Sequence, residues 1–548
     1  MLSGRMMEMP LTISSVIDYA ADVRTDTEVV SKCVEGGIHR YNYGDAHKRT
    51  CQLAHALKSM GIKEGDRVAT LAWNGHRHFE LYFAISSIGA VCHTINPRLF
   101  ADQIVYIINH AKDRILFLDT TFIPVIIPLI DKLPKDLRFV VLCERENAPD
   151  CDIPNLECYE DLLRGQPTSF SWPQLDERSA SALCYTSGTT GNPKGVLFTH
   201  RSTMLHTFGM MVFAAEVGLN SSAVVLPVVP FFHANGWGLP FASPLVGAKF
   251  VLPGPGLDGE NLFKLMDVEG VTSAWGVPTI WLGLLAEMRK HGRKPEGFQY
   301  MLVGGSAVPR SMIAEFEMDF DVRVVHGWGM TETSPVGSTT TFSQSMRALP
   351  IEKKVDLKVS QGRRMYTVDM RIVGENGELL PNDGEAFGEL QVRGHAIIDG
   401  YHEDEEASSA AMTEDGWLRT GDVARITPEG FMMLVDRTKD LIKSGGEWIS
   451  SIDLENAAQG HPSILECGVI SAYHPQWDER PLLIAVTEKG VSLSLQDIHE
   501  YLKDKVAKWW LPDDVVFVDE LPHTATGKIS KMTLREQFKD YKLTGVEG

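Results

Sequence analysis

The chain has 548 residues and a mass of 60.8 kDa, a length that predicts roughly three to four modules. It carries 52 Lys and Arg against 72 Asp and Glu, a formal net charge of −20 at pH 7. This balance argues against a nucleic-acid-binding protein, which needs a concentrated basic surface. Apolar residues make up 44% and charged residues 23% of the chain, so the composition also excludes a disordered, collagen-like or disulfide-stapled protein.

The cysteines and the apolar stretches indicate a cytosolic enzyme. None of the eight cysteines forms a Cys-x-x-Cys pair, so reduced, structural thiols are predicted. Residues 1–14 lack the long apolar core of a secretory signal. The longest apolar stretches, Phe122–Ile130 and Ala223–Phe232, are about half of the roughly twenty residues that cross a bilayer. We expect a cytoplasmic protein without an integral membrane segment, at most peripheral to a membrane.

The first 340 residues alternate helical periods with short apolar runs. Tyr43–Met60 has the spacing of a helix, and Arg67–Trp73 is typical of a buried strand. Strands alternating with helices predict βαβ units and a largely parallel sheet. The other predicted strands in this region are Ile115–Leu118, Phe139–Cys143, Ala248–Leu252 and Tyr300–Val303.

The pattern changes between about residues 360 and 435. Val368, Met370 and Ile372 alternate with polar residues, and Asn376-Gly377 supplies a turn, which predicts antiparallel hairpins. The charged stretch 436–440 (DRTKD) follows as a module boundary, and the remaining residues have the size of a domain. That remainder starts with a helix signal, with Ser450 as N-cap and Asp453 three residues later.

The most informative segment is the loop Tyr185–Gly195 (YTSGTTGNPKG). Its glycines and hydroxyl side chains allow the backbone to wrap a polyanion, and Lys194 adds a positive charge. Pro193 before the lysine and Gly195 after it depart from the Walker A pattern. The composition therefore predicts a phosphate-binding loop that does not belong to a P-loop NTPase.

This loop and six further motifs resemble those of the AMP-forming acyl-CoA synthetases, in the adenylate-forming superfamily with firefly luciferase and peptide-synthetase adenylation domains. The resemblance covers nearly the whole chain and is greatest to bacterial medium- and long-chain fatty acyl-CoA synthetases. It implies a two-step reaction, in which a carboxylate attacks the α-phosphorus of ATP and the thiol of coenzyme A then displaces AMP. The motifs are PFFHANGW (230–237), GGSAVP (304–309), GWGMTE (327–332), WLRTGD (417–422), DRTKDLIKSGGEWIS (436–450) and TATGK (524–528).

The resemblance also implies an α/β fold with a large N-terminal domain of several subdomains, containing mixed sheets and an antiparallel β segment. A small mobile α+β C-terminal domain follows, and it swings about a hinge between the two half-reactions. The implied ranges are 1–436 for the adenylating domain with its ATP and acyl pockets, 437–440 for the hinge and 441–548 for the C-terminal domain.

The resemblance assigns the ATP site by motif. Glu332 and Thr186 bind Mg²⁺, and Thr331 contacts the α-phosphate. Trp328 stands where most relatives have a tyrosine that stacks on adenine, so stacking survives but a phenol contact is lost. The implied β- and γ-phosphate residues are Thr186, Ser187, Gly188, Thr189, Thr190 and Lys194, and the implied adenine-side residues are Gly304, Gly305, Ser306, Ala307, Gly327, Trp328, Gly329 and Met330.

Further roles follow from the later motifs. Asp422 binds the ribose, Arg437 reaches ribose or phosphate, and Lys439 lies at the hinge. Lys528 bridges the substrate carboxylate and the α-phosphate, and with Thr186, Glu332 and His233 it makes up the implied catalytic set. The residues that the swing brings in for thioester formation with coenzyme A are Lys443, Gly445, Gly446 and Trp448.

The acyl pocket leaves two interpretations open. His233 is either near the substrate carboxylate or a core residue, and Trp237 either gates the channel or packs in the core. Trp275, before Gly276, shortens the channel if it points into the pocket and favours short, medium or compact acids. If Trp275 points into the core instead, chain length is unrestricted.

The leading hypothesis is a ligase that uses ATP and Mg²⁺ to join a fatty acid to coenzyme A. The fatty acid has a short or medium chain, or else a long chain. The alternatives are a ligase for a compact thioether acid such as 3-methylmercaptopropionate or for an aryl acid, an enzyme with another acceptor, and a nucleotide-binding regulator without turnover. A homodimer is expected from the fatty-acyl relatives. His76 and His78 are predicted to lie at an exposed helix start and, without a third ligand, not to bind a metal.

Overall fold

The computed structural model describes residues 2, 4–186, 192–445, 447–488, 490–491, 493–523 and 529–543. Strands and helices are numbered along the chain. The first sixteen strands are β1 (Glu28–Lys32), β2 (Ile38–Asn42), β3 (Arg67–Leu71), β4 (Val91–Thr94), β5 (Ile115–Leu118), β6 (Arg138–Val141), β7 (Glu157–Cys158), β8 (Ala180–Tyr185), β9 (Gly195–Thr199), β10 (Val224–Pro227), β11 (Lys249–Leu252), β12 (Ser273–Gly276), β13 (Tyr300–Val303), β14 (Arg323–Gly329), β15 (Val336–Thr339) and β16 (Arg363–Arg364).

These strands form two large mixed sheets. One has the order β16-β15-β14-β13-β12-β10-β11-β1-β2, and the other has the order β7-β6-β5-β3-β4-β8-β9. Their central strands pair in parallel, for example β12 with β13 and β3 with β5. All four residues of β5 are buried, as expected for parallel strands covered on both faces. The predicted parallel core is confirmed.

The rest of the chain forms two smaller sheets, one fully antiparallel and one largely so. The strands β17 to β20 form the sheet β17-β18-β19-β20, which confirms the predicted hairpins, and β21 to β25 form the other. The predicted α/β fold, with a large N-terminal and a smaller C-terminal domain, is thereby confirmed. The strands are β17 (Val368–Val373), β18 (Phe387–Gly394), β19 (Leu418–Ile426), β20 (Met432–Arg437), β21 (Ile442–Ser444), β22 (Glu447–Ile449), β23 (Ile464–His474), β24 (Asp478–Thr487) and β25 (Asp514–Phe517).

Helices pack against these sheets and start where the sequence provides caps. The Asn42 side chain accepts the Asp45 N–H at 2.9 Å, and Ser450 accepts that of Asp453 at 3.0 Å. The described α-helices are α1 (Ser14–Val23), α2 (Tyr43–Ser59), α3 (His76–Ser87), α4 (Ala101–Ala111), α5 (Ile123–Ile126), α6 (Tyr159–Leu163), α7 (His200–Met211), α8 (Leu239–Val246), α9 (Gly259–Glu269), α10 (Pro278–His291), α11 (Arg310–Ala314), α12 (Gln344–Arg347), α13 (Ile351–Lys358), α14 (Glu405–Ala411), α15 (Ser451–Gln459), α16 (Leu495–Leu502) and α17 (Lys531–Gln537).

The prediction that His76 and His78 are exposed was wrong. Every residue of α3 is buried, and His78 contacts the Thr70 hydroxyl at 3.0 Å and the Trp73 carbonyl oxygen at 3.1 Å. Within the described ranges no three metal-ligating side chains form a group that could hold an ion, and no helix is long and apolar enough to cross a membrane. All eight cysteines are free thiols, and those other than Cys33 and Cys151 are buried.

Candidate active site

The loops after parallel strands β13 and β14 bring two of the motifs together. A Cβ atom added to Gly304 would lie 2.9 Å from the carbonyl oxygen of Gly327, so no larger residue fits between the GGSAVP loop and the start of the GWGMTE motif at the end of β14. Gly305 has φ +88°, a left-handed conformation that favours glycine. Ligands of open α/β sheets bind beyond the carboxyl ends of such strands. The two predicted nucleotide loops therefore share one edge of the sheet.

Trp328, Asp422 and Arg437 form a connected group beside these loops. The Trp328 Nε1–H donates to Asp422 Oδ2 at 2.8 Å, and Arg437 Nε lies 2.7 Å from Asp422 Oδ1. Asp422 and Arg437 are directly paired across β19 and β20. The carboxylate is buried while the arginine is partly exposed. Sequence reasoning named all three residues but missed that the indole N–H itself binds the acid.

Glu332 is buried next to a residue that sequence reasoning missed, Tyr401. The Tyr401 hydroxyl donates to Glu332 Oε1 at 2.8 Å, and the Lys194 ammonium lies 5.0 Å from the centre of the Tyr401 ring. Burial raises the pKa of Glu332, and the Tyr401 hydroxyl and the charges of Arg437 and Lys194 oppose that rise. The only available sequence signal was a tyrosine in a loop rich in acidic residues.

A turn at residues 401–404 is hydrogen-bonded to the end of the predicted phosphate loop. The His402 N–H donates to the Gly195 carbonyl oxygen at 2.8 Å, and the Thr186 N–H donates to that of Lys194 at 2.9 Å. Antiparallel strands β8 and β9 thus meet at the start and end of the predicted loop. The predicted residues Ser187, Gly188, Thr189 and Thr190 lie outside the described residues, as do Gly446 and Lys528.

The surroundings of Glu332 fit a magnesium ion. Mg²⁺ prefers oxygen ligands and is usually held by one or two carboxylates together with substrate phosphates. Glu332 offers such a carboxylate, with Oε1 oriented by Tyr401, and the Thr186 hydroxyl belongs to the adjoining loop. With nucleotide bound, the ion would neutralise phosphate charge at this point.

The predicted acyl segment contains a run of left-handed backbone. Residues 234–238 all have positive φ, with values of +55° at Asn235 and +54° at Trp237. Such residues cost of order 1–2 kcal/mol each when they are not glycine. The Trp237 ring reaches the nucleotide loop, since its Cη2 lies 3.5 Å from the Cβ position of Gly304. His233 is half-buried and packs edge-on against Phe232 at 4.8 Å between ring centres.

Trp275 lies in the core directly behind this segment. Its side chain is fully buried, its Nε1–H donates to Ser273 Oγ at 3.2 Å, and its ring stacks on Phe213 at 6.3 Å. Its carbonyl oxygen accepts the N–H of Val229 at 2.8 Å. Gly276 is enclosed as well, because an added Cβ would lie 3.0 Å from the Trp281 ring. Whether Trp275 limits acyl length stays a prediction.

The hairpin β21–β22 faces the nucleotide loops across a cavity of about 180 Å³. Trp448 lines it from the C-terminal side and Ala307 from the N-terminal side. Lys443 stacks over the Trp448 ring at 5.1 Å, and the Gly445 N–H donates to the Trp477 carbonyl oxygen at 2.8 Å. Of the other residues predicted for these roles, Ser306 and Lys439 are exposed, Met330 and Thr331 are half-buried, and Gly329 pairs with Val336.

Known proteins resemble this chain along its whole length. The family model of the AMP-binding enzymes matches residues 17–402, and that of the AMP-binding enzyme C-terminal domain matches residues 453–528. The 3-methylmercaptopropionyl-CoA ligase of Ruegeria lacuscaerulensis is 49% identical over 542 residues, 99% of this chain and 100% of the relative. The medium-chain-fatty-acid–CoA ligase of Ectopseudomonas oleovorans is 48% identical, with 98% of each covered. Among solved structures, the anthranilate CoA ligase AuaEII bound to anthranoyl-AMP has a TM-score of 0.86 at 24% identity, covering 97% of this chain and 99% of that one.

Proposed function

Since the chain belongs to the AMP-binding enzyme family and is an AMP-forming acyl-CoA ligase that uses ATP, Mg²⁺ and coenzyme A, we propose that its acid substrate is a compact thioether acid such as 3-methylmercaptopropionate. The observation that carries this proposal is the 49% identity to a ligase of that acid over that relative's full length.

A medium-chain fatty acid, which belongs to the leading hypothesis of the sequence analysis, is the second candidate. The 48% identity to a medium-chain ligase favours it. The two candidates differ in the volume that the acyl pocket must offer beyond the carboxylate. Each additional methylene gains about 0.8 kcal/mol on burial where there is space for it, so the chain-length profile separates them.

We propose that the residues grouped around Glu332 perform the adenylation step. Lys194, Arg437 and Mg²⁺ at Glu332 would neutralise the phosphates, and Asp422 would accept the ribose hydroxyls. Transfer to and from phosphorus depends on positioning and charge stabilisation more than on covalent chemistry by the protein. The contacts of Asp422 with Trp328 and Arg437 support this arrangement because they orient the acid before binding. His233 and Lys528 would contact the substrate carboxylate.

The test is an acid panel in ATP–pyrophosphate exchange, followed by product analysis with coenzyme A. The panel contains 3-methylmercaptopropionate, unbranched acids from propionate to palmitate, and benzoate. We expect the thioether acid to give the highest kcat/KM and a thioester product. A maximum at octanoate would establish the second candidate, and exchange with none of the acids would contradict a role in acyl activation. Cytoplasmic location and a homodimer stay predictions.

A further inference from the structure

His206 is a buried histidine on α7 that the sequence motifs do not include. Its side chain lies between the acyl segment and strand β15, and the residue is 2% exposed. The Val336 N–H donates to its Nε2 at 3.1 Å. An imidazole nitrogen that accepts a hydrogen bond carries no proton, so the neutral ring has its proton on Nδ1. Burial lowers the pKa of His206 to about 3, which keeps the ring neutral at physiological pH.

The Nδ1–H of His206 faces the acyl segment. A Cβ atom added to Gly238 would lie 3.2 Å from both Nδ1 and Cε1 of this ring, and 2.8 Å from the Met210 sulfur. Within the part of the chain that the structure describes, the Val336 N–H makes the one hydrogen bond recorded for the ring. The donor therefore points toward Gly238 without a protein acceptor.

The position of this donor separates it from the nucleotide loops. Gly238 follows Trp237, whose ring extends away to the Gly304 loop, with Cη2 3.5 Å from the Cβ position of Gly304. The indole is thus beside the predicted adenine loop, whereas the next residue, Gly238, is beside His206. A group that met the His206 N–H would therefore lie on the Gly238 side of Trp237, in the predicted acyl segment.

We propose that His206 determines acid specificity by donating its Nδ1–H to a heteroatom within the acyl chain of the substrate. This inference rests on the proposed function and names the contact that would distinguish a thioether acid from a fatty acid. A thioether sulfur is a weak acceptor, and the neighbouring Met210 sulfur offers a soft, polarizable surface for it. An alkyl chain of the same length leaves the Nδ1–H donor unpaired. Sites that hydrogen-bond a group of the substrate reject analogues that lack this group.

The test compares 3-methylmercaptopropionate with pentanoate, which has a methylene in place of the sulfur atom. We expect the wild-type enzyme to prefer the thioether by about tenfold in kcat/KM, a modest factor because the acceptor is weak. His206→Gln places an acceptor near the Nε2 position for Val336 but leaves no donor at the Nδ1 position. His206→Asn places a donor near the Nδ1 position but leaves no acceptor for the Val336 N–H. The ratio of kcat/KM for the thioether acid to that for pentanoate should fall to about one in His206→Gln. The same ratio should stay near the wild-type value in His206→Asn.

His200→Gln is the matched control. His200 is on the same helix, is fully buried and also accepts a backbone N–H, from Ile13 at 3.2 Å, but it lies at the start of α7 away from the acyl segment. Its substitution should leave the ratio of the two acids unchanged. The inference is overturned if the wild type has equal kcat/KM for the two acids, or if His206→Gln keeps the wild-type ratio. An equal fall in kcat/KM for both acids in His206→Gln would overturn it as well. Inactivity toward both acids in the wild type would instead contradict the proposed function.

Discussion

The carboxylate of Asp422 has a protein donor on each oxygen. Trp328 donates to Oδ2, and Arg437 lies beside Oδ1. Each carboxylate oxygen can accept more than one hydrogen bond, so the acid can still accept two ribose hydroxyls. Besides the adenine contact predicted for its ring, Trp328 orients Asp422 through its indole N–H.

We expect Trp328→Phe to lower the free energy of unfolding by about 1–2 kcal/mol, since it leaves one oxygen of a buried carboxylate without its donor. The KM for ATP should rise several-fold while an aromatic face is kept. Urea unfolding and initial rates measure the two effects. Trp417→Phe, at a ring that packs under Arg371 and Arg393, is the control and should leave the KM for ATP unchanged. An unchanged KM in Trp328→Phe would contradict the orienting role.

The buried histidines make stability depend on pH. His326 is fully buried, its Nδ1 lies 3.0 Å from the Lys358 carbonyl oxygen, and burial lowers its pKa to about 4. The unfolded chain takes up this proton near pH 6.5, where the folded protein does not. The free energy of unfolding is therefore highest above pH 6.5 and falls by up to about 1.4 kcal/mol per pH unit for this residue, down to pH 4.

We expect the free energy of unfolding to fall less steeply with decreasing pH in His326→Gln than in the wild type. Urea unfolding at pH 7, 6 and 5 measures this fall in both proteins. The variant loses stability at pH 7, because its amide must replace a packed ring, but the loss should shrink as the pH falls. His499→Gln is the control, at a half-buried ring of α16. A constant difference between wild type and His326→Gln at all three pH values would contradict the assigned protonation.

At the scale of an element, the left-handed turn 234–238 is held against its own backbone preference. Ala234 and Trp237 adopt φ values of +36° and +54°, and the turn is anchored at both ends. The Tyr82 hydroxyl donates to the Phe231 carbonyl oxygen at 2.5 Å before it, and α8 begins after it at Leu239. Packing therefore sets the direction in which His233 and Trp237 project.

Ala234→Gly should be close to neutral or stabilising by up to about 1 kcal/mol, because glycine removes the left-handed penalty while adding freedom to the unfolded chain. Ala54→Gly, at a right-handed position inside α2, should cost about 1–2 kcal/mol from lost propensity and burial. Thermal unfolding of both variants measures the contrast. Equal losses would show that the turn is not strained.

Some elements could be predicted closely from sequence and others could not. Strands β5 and β13 have the predicted bounds because each is a short apolar run, with Asp119 following β5 and Gly304 following β13. The burial of His76 could not be predicted, since every residue of α3 is buried and its charged residues Arg77 and Glu80 pair with partners distant in sequence. The contact of Tyr401 with Glu332 joins residues 69 apart in sequence, and His206 meets Val336 across 130 residues. No local pattern signals such pairs.

For the whole molecule, the boundary between the two domains is closely bonded. The Ser451 N–H, at the start of α15, donates to Asp436 Oδ2 at 2.7 Å, and Asp436 is the residue before Arg437 on β20. Arg535 of α17 pairs with Asp440 in the predicted hinge. The predicted hinge, 437–440, is thus bonded on both sides to helices of the C-terminal domain.

Lys528→Ala should abolish acid-dependent ATP–pyrophosphate exchange and spare thioester formation from supplied acyl-adenylate. The reason is that a cation beside the attacking carboxylate stabilises charge only in the first step. The two half-reactions are measured separately on one preparation. Lys508→Ala, elsewhere in the C-terminal domain, is the control and should retain both. Equal loss of both half-reactions in Lys528→Ala would contradict the role.

The positions of the native thiols would allow the predicted movement of the C-terminal domain to be followed by fluorescence. Cys33 and Cys151 are half-buried and the other six are buried, so the folded protein presents few sites to a maleimide dye. Cysteines placed at the exposed positions Lys290 and Glu500 would carry a donor and an acceptor fluorophore on the two domains. Energy transfer between them would then report, molecule by molecule, how the domains are arranged as ATP, acid and coenzyme A are added.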